Sequence, residues 1–350
     1  MFRRLLKDFR FSVLPVPGRI IAIVFFVALF IIPLISGTNY TMFVLTTSNL
    51  LVIFAVSWDL LSGYSGQVNF GHALFFGVSA YTVGLLHMYF DLQPWATIPI
   101  GTLVAVGIGV ATCIPALRLR GPYLSLLTMS FPLVLLGLVM ALKTWTRGEF
   151  GIPDIPPLAD TRVGEYYISL AVMTVSVLIM WKLTDAGSKY IRTGLIFHAI
   201  REDEIAARAS GINTINYKIL AFVIGGFFCG LAGALYAHVL GTVSIAYLSM
   251  TMSFLAIIYV VFGGIVSIYG AVVGVYVLQT LLQFAGQGGQ NFLGRNQILI
   301  MAIIVILVLI FMPEGVAVWI RDKIERECPR CKLTNAAWRK ECRACSAPLH

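Results

Sequence analysis

The sequence predicts an all-α integral membrane protein of about ten transmembrane or membrane-embedded helices, both termini cytoplasmic, followed by a small cysteine-bearing tail. Three observations carry this. Of 350 residues, 59% are hydrophobic and only 12% are charged, against roughly 25% charged in a soluble domain. The mean hydropathy is +0.88. The 25 Lys+Arg exceed the 16 Asp+Glu and crowd the ends of apolar stretches. Disorder, collagen and a disulfide-rich secreted scaffold are excluded by the same composition.

A helix needs about 20 residues to cross a hydrocarbon core. Apolar stretches of about that length fall near Ile20–Ser36, Thr41–Leu61, His72–Phe90, Trp95–Leu117, Tyr123–Leu142 and Tyr166–Leu183. After a polar interval come Ile219–Leu240, Met250–Val266, Ile268–Ala285 and Gln297–Met312. The first has no small-residue cleavage site after it and reads as a membrane helix rather than a signal peptide. Orientation follows from the bases. All of the 25 except Lys143, Arg147, Arg162 and Arg295 lie on one side of this arrangement, which the positive-inside rule makes cytoplasmic. The +9 charge then needs no nucleic-acid partner, and lipid is the surrounding solvent.

The expected organisation is a basic cytoplasmic N-terminus (1–19), a membrane domain (20–320) and a cytoplasmic tail (321–350). Within the membrane domain a cytoplasmic connection of about 184–218 is far longer than a turn. Its run His198-Ala-Ile-Arg-Glu-Asp-Glu-Ile-Ala-Ala-Arg-Ala-Ser-Gly211 holds helix formers and stops on glycine, predicting one short amphipathic helix. Such a helix either rests on headgroups or docks into a soluble partner. Its mixed charges (Arg201, Glu202, Asp203, Glu204, Arg208) favour the partner, because a lipid-binding face is predominantly basic.

A second feature is Gly63-Tyr-Ser-Gly-Gln-Val-Asn-Phe-Gly-His72, where glycines and polar side chains interrupt apolar sequence. Irregular backbone at membrane depth is tolerated only inside protein or beside water. A discontinuous helix there would offer free amide N–H groups to a solute carboxylate; the alternative is a plain cytoplasmic turn. Asp59, Tyr64, Gln67, Asn69 and His72 are the translocation-path candidates. Asp59 is either an end-of-helix carboxylate or a buried organiser of the break, and His72 reads equally as a packing residue. Cys113 and Cys229 behave as small apolar side chains.

The stretch Ser57-Trp-Asp-Leu-Leu-Ser-Gly-Tyr-Ser-Gly-Gln-Val-Asn-Phe-Gly-His-Ala-Leu-Phe-Phe-Gly-Val-Ser-Ala-Tyr81 resembles the signature of LivM-type permeases, the membrane subunits of branched-chain amino-acid ABC importers. Leu117-Arg-Leu-Arg-Gly-Pro-Tyr-Leu-Ser125, Ala199–Gly211 with Tyr217–Phe222, and Phe262–Gly274 are similar to that family in the same order. The resemblance covers roughly residues 20–320. It implies docking of a cytosolic ATPase through an Glu-Ala-Ala-x-x-x-Gly-type loop, on which Ala206, Ala207 and Gly211 match and Ile205 replaces the glutamate. It also implies two ATPase subunits, a second permease of the LivH kind, an extracytoplasmic solute-binding protein and a cell (inner) membrane location. The chain has no phosphate-binding Gly-x-x-x-x-Gly-Lys-Ser/Thr loop, so no nucleotide site and no enzymatic activity are expected of it.

Beyond the membrane domain, Cys328-Pro-Arg-Cys331 and Cys342-Arg-Ala-Cys345 form two Cys-x-x-Cys pairs ten residues apart. In a reducing cytosol disulfides are not expected, and four thiolates suit one tetrahedral Zn²⁺. The tail resembles a bacterial zinc ribbon, and so small a unit depends on the metal for folding. Of the functions weighed, an ATP-driven permease for branched-chain or other hydrophobic amino acids accounts for the loop. The alternatives are a urea or short-amide permease of the same superfamily, an ion-coupled secondary transporter, and a membrane-tethered zinc-ribbon adaptor. Scarcity of intramembrane charge counts against ion coupling.

Overall fold

The computed structural model describes residues 17–35, 38–116, 119, 122–185, 192–287, 296–331, 334–342, 345 and 347–348. The basic segment before Pro17, Arg118, Arg120 and Lys189 lie outside them. The described chain is helical apart from a two-stranded ribbon. Its helices are α1 (Pro17–Ile35), α2 (Asn39–Trp58), α3 (Ala73–Phe90), α4 (Pro94–Ala116), α5 (Pro122–Ala141) and α6 (Arg162–Thr184). After them come α7 (Thr193–Glu202), α8 (Glu204–Ala209), α9 (Thr214–Leu240), α10 (Met250–Gly263), α11 (Ile268–Gln287), α12 (Gln297–Phe311) and α13 (Val316–Ile324). Strands β1 (Glu325–Glu327) and β2 (Thr334–Ala336) pair antiparallel, with Arg326 opposite Asn335.

Among the described residues seven helices are long and apolar enough to cross a membrane, or up to eight if a bent pair counts as one span. The sequence expectation of about ten differs because it counts α1 and both arms of the α10–α11 pair separately. Those arms meet at 111°, and α10 has only 14 residues, about 21 Å of helix. The pair folds back on itself.

α2 is the centre of the bundle. Its apolar window is entirely buried within the protein, the expected place for a helix hydrophobic all round. It packs on α6, α9 and α11. α11 runs antiparallel along it: the Tyr40 hydroxyl donates to the Gln283 carbonyl (2.7 Å) at one end, and Ser267 meets Asp59 at the other. Against this group α3, α4 and α9 form a second tight layer.

The two ends of the bundle differ. At one, Ile152 bridges Val243, His238 Nδ1 lies 2.7 Å from the Pro156 carbonyl and the Tyr89 hydroxyl donates to Trp145 O. At the other, the Glu325 carboxylate of β1 accepts from the Gly18 N–H of α1 (2.7 Å). The start of α1, the ribbon, α13 and the α10–α11 turn therefore share one end with α7 and α8.

Candidate functional site

The long connection between α6 and α9 folds as two helices rather than the one expected. The break is Asp203, whose backbone is extended (φ −153°, ψ 105°) and whose Oδ1 accepts from Ile205 N (2.8 Å) and Ala206 N (3.0 Å). A carboxylate satisfying the first free amides is a strong helix start, so the chain ends α7 and begins α8 at this residue. Glu204 ties α8 to the membrane bundle. Its carboxylate pairs with Arg208 (2.8 Å) and with Lys218 Nζ (2.8 Å) in the first turns of α9.

The faces of this region separate cleanly. Gly194, Phe197 and Ile200 of α7 point inward, and Ala207 of α8 is also buried. Arg201, Glu202, Asp203, Ala206, Arg208 and Gly211 are exposed, and Ile205 is 71% exposed. The two alanines of the loop motif thus have opposite orientations: Ala206 is available to another molecule and Ala207 is a packing residue. His198 stacks edge-on against Tyr64 with ring centroids 5.5 Å apart. Burial, and then the Arg201 charge, pull its imidazole below the ordinary histidine pKa.

Tyr64 ends a π-helical turn, Asp59–Tyr64, that continues α2. The wider turn brings Asp59 to the α10–α11 junction. There its Oδ1 accepts from Val266 N (2.9 Å) and its Oδ2 from Ser267 N (3.1 Å). A side chain at Gly63 would collide with that carboxylate, its Cβ falling 2.0 Å from Oδ1. Asp59 is a buried organiser, of the α10–α11 break rather than of the Gly63–His72 stretch.

From Ser65 the chain rises as irregular backbone to α3. At its lower end a Cβ on Gly66, where φ is +71°, would lie 3.2 Å from Arg201 Cα, so the start of this segment rests on α7. At its upper end the His72 carbonyl accepts from Cys229 Sγ (3.4 Å), about 22 Å along α9 from Thr214. The segment therefore runs from the connection end of the bundle into its interior rather than forming a plain surface turn. Four of its amides are engaged within the chain. Asn69 N donates to Ser62 Oγ, Phe70 N to Thr128 Oγ1, Gly71 N to Asn69 Oδ1 and Ala73 N to Ser253 Oγ, at 2.9–3.1 Å. The expectation of free N–H groups for a solute carboxylate is corrected for Asn69, Phe70, Gly71 and Ala73: the Asn69 side chain and hydroxyls from α5, α10 and the π-turn already occupy these amides.

The path candidates are likewise internal. Asp59, Tyr64, Gln67, Asn69 and His72 are all buried. Trp58 Nε1 donates to the Asn69 carbonyl (2.6 Å), and His72 Nε2 meets Ser57 Oγ (2.9 Å) between the rings of Phe54 and Phe75. Sequence reasoning missed the partners that make this a unit, Val266, Ser267, Ser253, Thr128 and Lys218. They lie 14 to 208 residues away along the chain, where local pattern carries no signal.

In the tail the four cysteine sulfurs lie within 4.8 Å of one another, with separations of 3.5 Å for Cys328–Cys345, Cys331–Cys342 and Cys331–Cys345. A tetrahedron of 2.3 Å metal–sulfur bonds has edges of about 3.8 Å, so the cluster is able to hold one metal ion. The buried Asn335 amide points at Cys342 Sγ (3.6 Å). The backbone N–H of Cys331 draws the Cys328 thiol below its ordinary pKa, which favours the ligating thiolate.

An α-helical bundle with seven or more membrane-length helices among the described residues, a two-helix connection at one end and an irregular buried segment defines the class as a multi-pass membrane protein. The profile of the family described as branched-chain amino acid transport system / permease component matches residues 40–312, and the chain belongs to that family. It is 26% identical over 330 residues to the high-affinity branched-chain amino acid transport system permease protein LivM of Escherichia coli K12, covering 86% of this chain and 74% of that one. The permease protein BraD of Pseudomonas aeruginosa is 26% identical over 78% of this chain and 92% of its own. LivH of Escherichia coli K12 is 25% identical over 77% and 92%. The protein is a membrane-embedded transport subunit and not itself an enzyme.

Proposed function

We propose that this chain is a permease subunit of an ATP-driven importer for branched-chain or other hydrophobic amino acids. It would pair with a second permease, two cytosolic ATPases and an extracytoplasmic binding protein. The match of residues 40–312 to the permease family carries the reading. In it, both termini are cytosolic and ten membrane-embedded helices form the domain 20–320. Asp203 and Glu204 set the shape of α7 and α8 from within. Arg201, Glu202, Ile205, Ala206, Arg208 and Gly211 face the ATPase.

Closure of the ATPase pair would press on α7–α8 as a unit. That unit reaches α6 through Thr193 and Gly194, α9 through Glu204–Lys218 and Phe197–Tyr217, and the end of α2 through the Tyr64 and Gly66 contacts. From there the Asp59 carboxylate leads to the α10–α11 turn. A push at the cytosolic face therefore tilts α9 and the bent pair together, a shear of packed helices. The tail 321–350 folds around one structural Zn²⁺ held by Cys328, Cys331, Cys342 and Cys345.

The test is reconstitution. The chain alone in liposomes should neither hydrolyse ATP nor carry leucine. With its permease, ATPase and binding-protein partners it should carry leucine only when ATP is supplied. Uptake by the isolated chain driven by an ion gradient overturns the reading.

A further inference from the structure

The α10–α11 turn is held in a backbone conformation that its own residues resist. Gly264 has φ +125°, and Val266, a β-branched residue, has φ +61°, a region such side chains avoid. Strain of this kind persists only where the surroundings over-determine it. One hold is the Asp59 carboxylate, which accepts from the amides of Val266 and Ser267. The second comes from α13. A Cβ on Gly315 would collide with Gly264 Cα, and one on Gly264 would lie 2.5 Å from Val318 Cγ2, so the start of α13 lies directly on the turn. Further along α13 the Arg321 guanidinium stands 6.0 Å from the centroid of the Tyr269 ring, in the first turn of α11.

α13 is poorly equipped to keep that hold alone. It has nine residues, too few for a stable isolated helix, and Trp319 through Lys323 are all exposed. The ribbon finishes its far end. The Ile324 carbonyl, one of the last four that lack an intrahelical partner, accepts from Ala337 N just past β2 (2.7 Å). β1 follows α13 directly, and its Glu325 carboxylate takes the Gly18 N–H at the start of α1. Two strands of three residues each are unstable as an isolated pair in water. The cysteine cluster brackets them: Cys328 follows β1, and the amide of Asn335, in β2, points at Cys342 Sγ.

Resting on the zinc reading above, we infer that the ribbon is a metal-dependent clasp. With its four thiolates bridged, it fixes the start of α1 and the end of α13, and α13 keeps the strained α10–α11 turn closed. Loss of the ion frees the ribbon first, then α13, and then the turn. Metal occupancy of the tail thus sets how firmly the membrane domain holds its bent pair, and the tail acts on the same turn that Asp59 serves.

Hydrogen exchange of the full-length chain in lipid nanodiscs tests this, with zinc counted by elemental analysis in each sample. Stripping the metal with a chelator, or Cys342→Ser, should speed exchange roughly tenfold or more in peptides covering residues 18–25 and 264–272. A peptide covering residues 228–237, in the middle of α9, should change less than about twofold. Returning Zn²⁺ to the chelated protein should restore protection. Glu325→Ala, with zinc retained, should speed exchange in 18–25 alone. Zinc lost with exchange in 264–272 unchanged overturns the inference and leaves the metal reading standing. An equal rise in 228–237 means general loosening rather than a clasp, and also overturns it. A chain prepared without chelator that holds no zinc strikes the metal reading, and the clasp with it. Chelation uses the unmodified chain, so the test stands even where Cys342→Ser does not fold.

Discussion

Replacing Asp59 by alanine should loosen the α10–α11 turn while leaving the spans inserted. The carboxylate accepts two backbone N–H bonds, from Val266 and Ser267, at a fully buried position. Each buried donor left without a partner costs about 1–3 kcal/mol. Removing the buried carboxylate also removes its own desolvation cost, which offsets part of that sum. A net local cost of about 3 kcal/mol corresponds to roughly a hundredfold more frequent opening of the first turn of α11. Hydrogen exchange of a peptide covering residues 264–272 reads this directly, because Gly270 N donates to Ser267 Oγ and Ala271 N to Ser267 O. Asp59→Asn, which keeps one acceptor oxygen, should fall between. Exchange in Asp59→Ala within threefold of the unmodified protein refutes the argument that this carboxylate holds the turn.

Other expectations follow from the same geometry. Ala206→Trp should abolish co-purification with the ATPase at unchanged insertion, while Ala207→Trp should make α8 protease-sensitive even without a partner, since only Ala207 is buried. Purified chain should contain about one zinc, and Cys342→Ser or deletion beyond Ile320 should remove it by elemental analysis; acidification should release it as the thiolates protonate. The depressed pKa of His198 means that the unfolded connection binds the proton more readily than the folded one. Docking of α7 on Tyr64 should therefore be at full strength above the ordinary value of 6.5 and weaken as pH falls below it. Limited proteolysis across that range checks this, and His198→Gln should flatten the response.

The apolar runs, the cytoplasmic connection and the cysteine quartet were legible because each is a local pattern. Crossing helices need length and hydropathy, and a metal site needs spacing. The Asp203 break was legible in principle, since an aspartate ahead of Glu204-Ile-Ala-Ala is a helix start as well as a helix interior, and the helix formers around it masked the cap. The inward turn of Gln67 and Asn69 was also written in the alternation Gly66-Gln-Val-Asn-Phe70, but a membrane context draws attention to the 3.6-residue period and away from the two-residue one. The partner of Asp59 was not legible. Nothing near residue 59 says that a glycine-rich turn 207 residues later will present two amides to it, because that meeting depends on α11 lying along α2.

The bond between Gly18 and Glu325 spans 307 positions of the chain, and synthesis proceeds in the other order. Gly18 is made 307 residues before the carboxylate that accepts from its N–H at the start of α1. During that interval the start of α1 lacks this acceptor. The bond arrives only after α13 has been laid down and β1 has left the ribosome. A truncated product lacking the last 26 residues threads its helices into the bilayer with the Gly18 amide left without this acceptor. The start of α1 and the ribbon after α13 are thereby joined late, by a bond between segments made at opposite ends of synthesis.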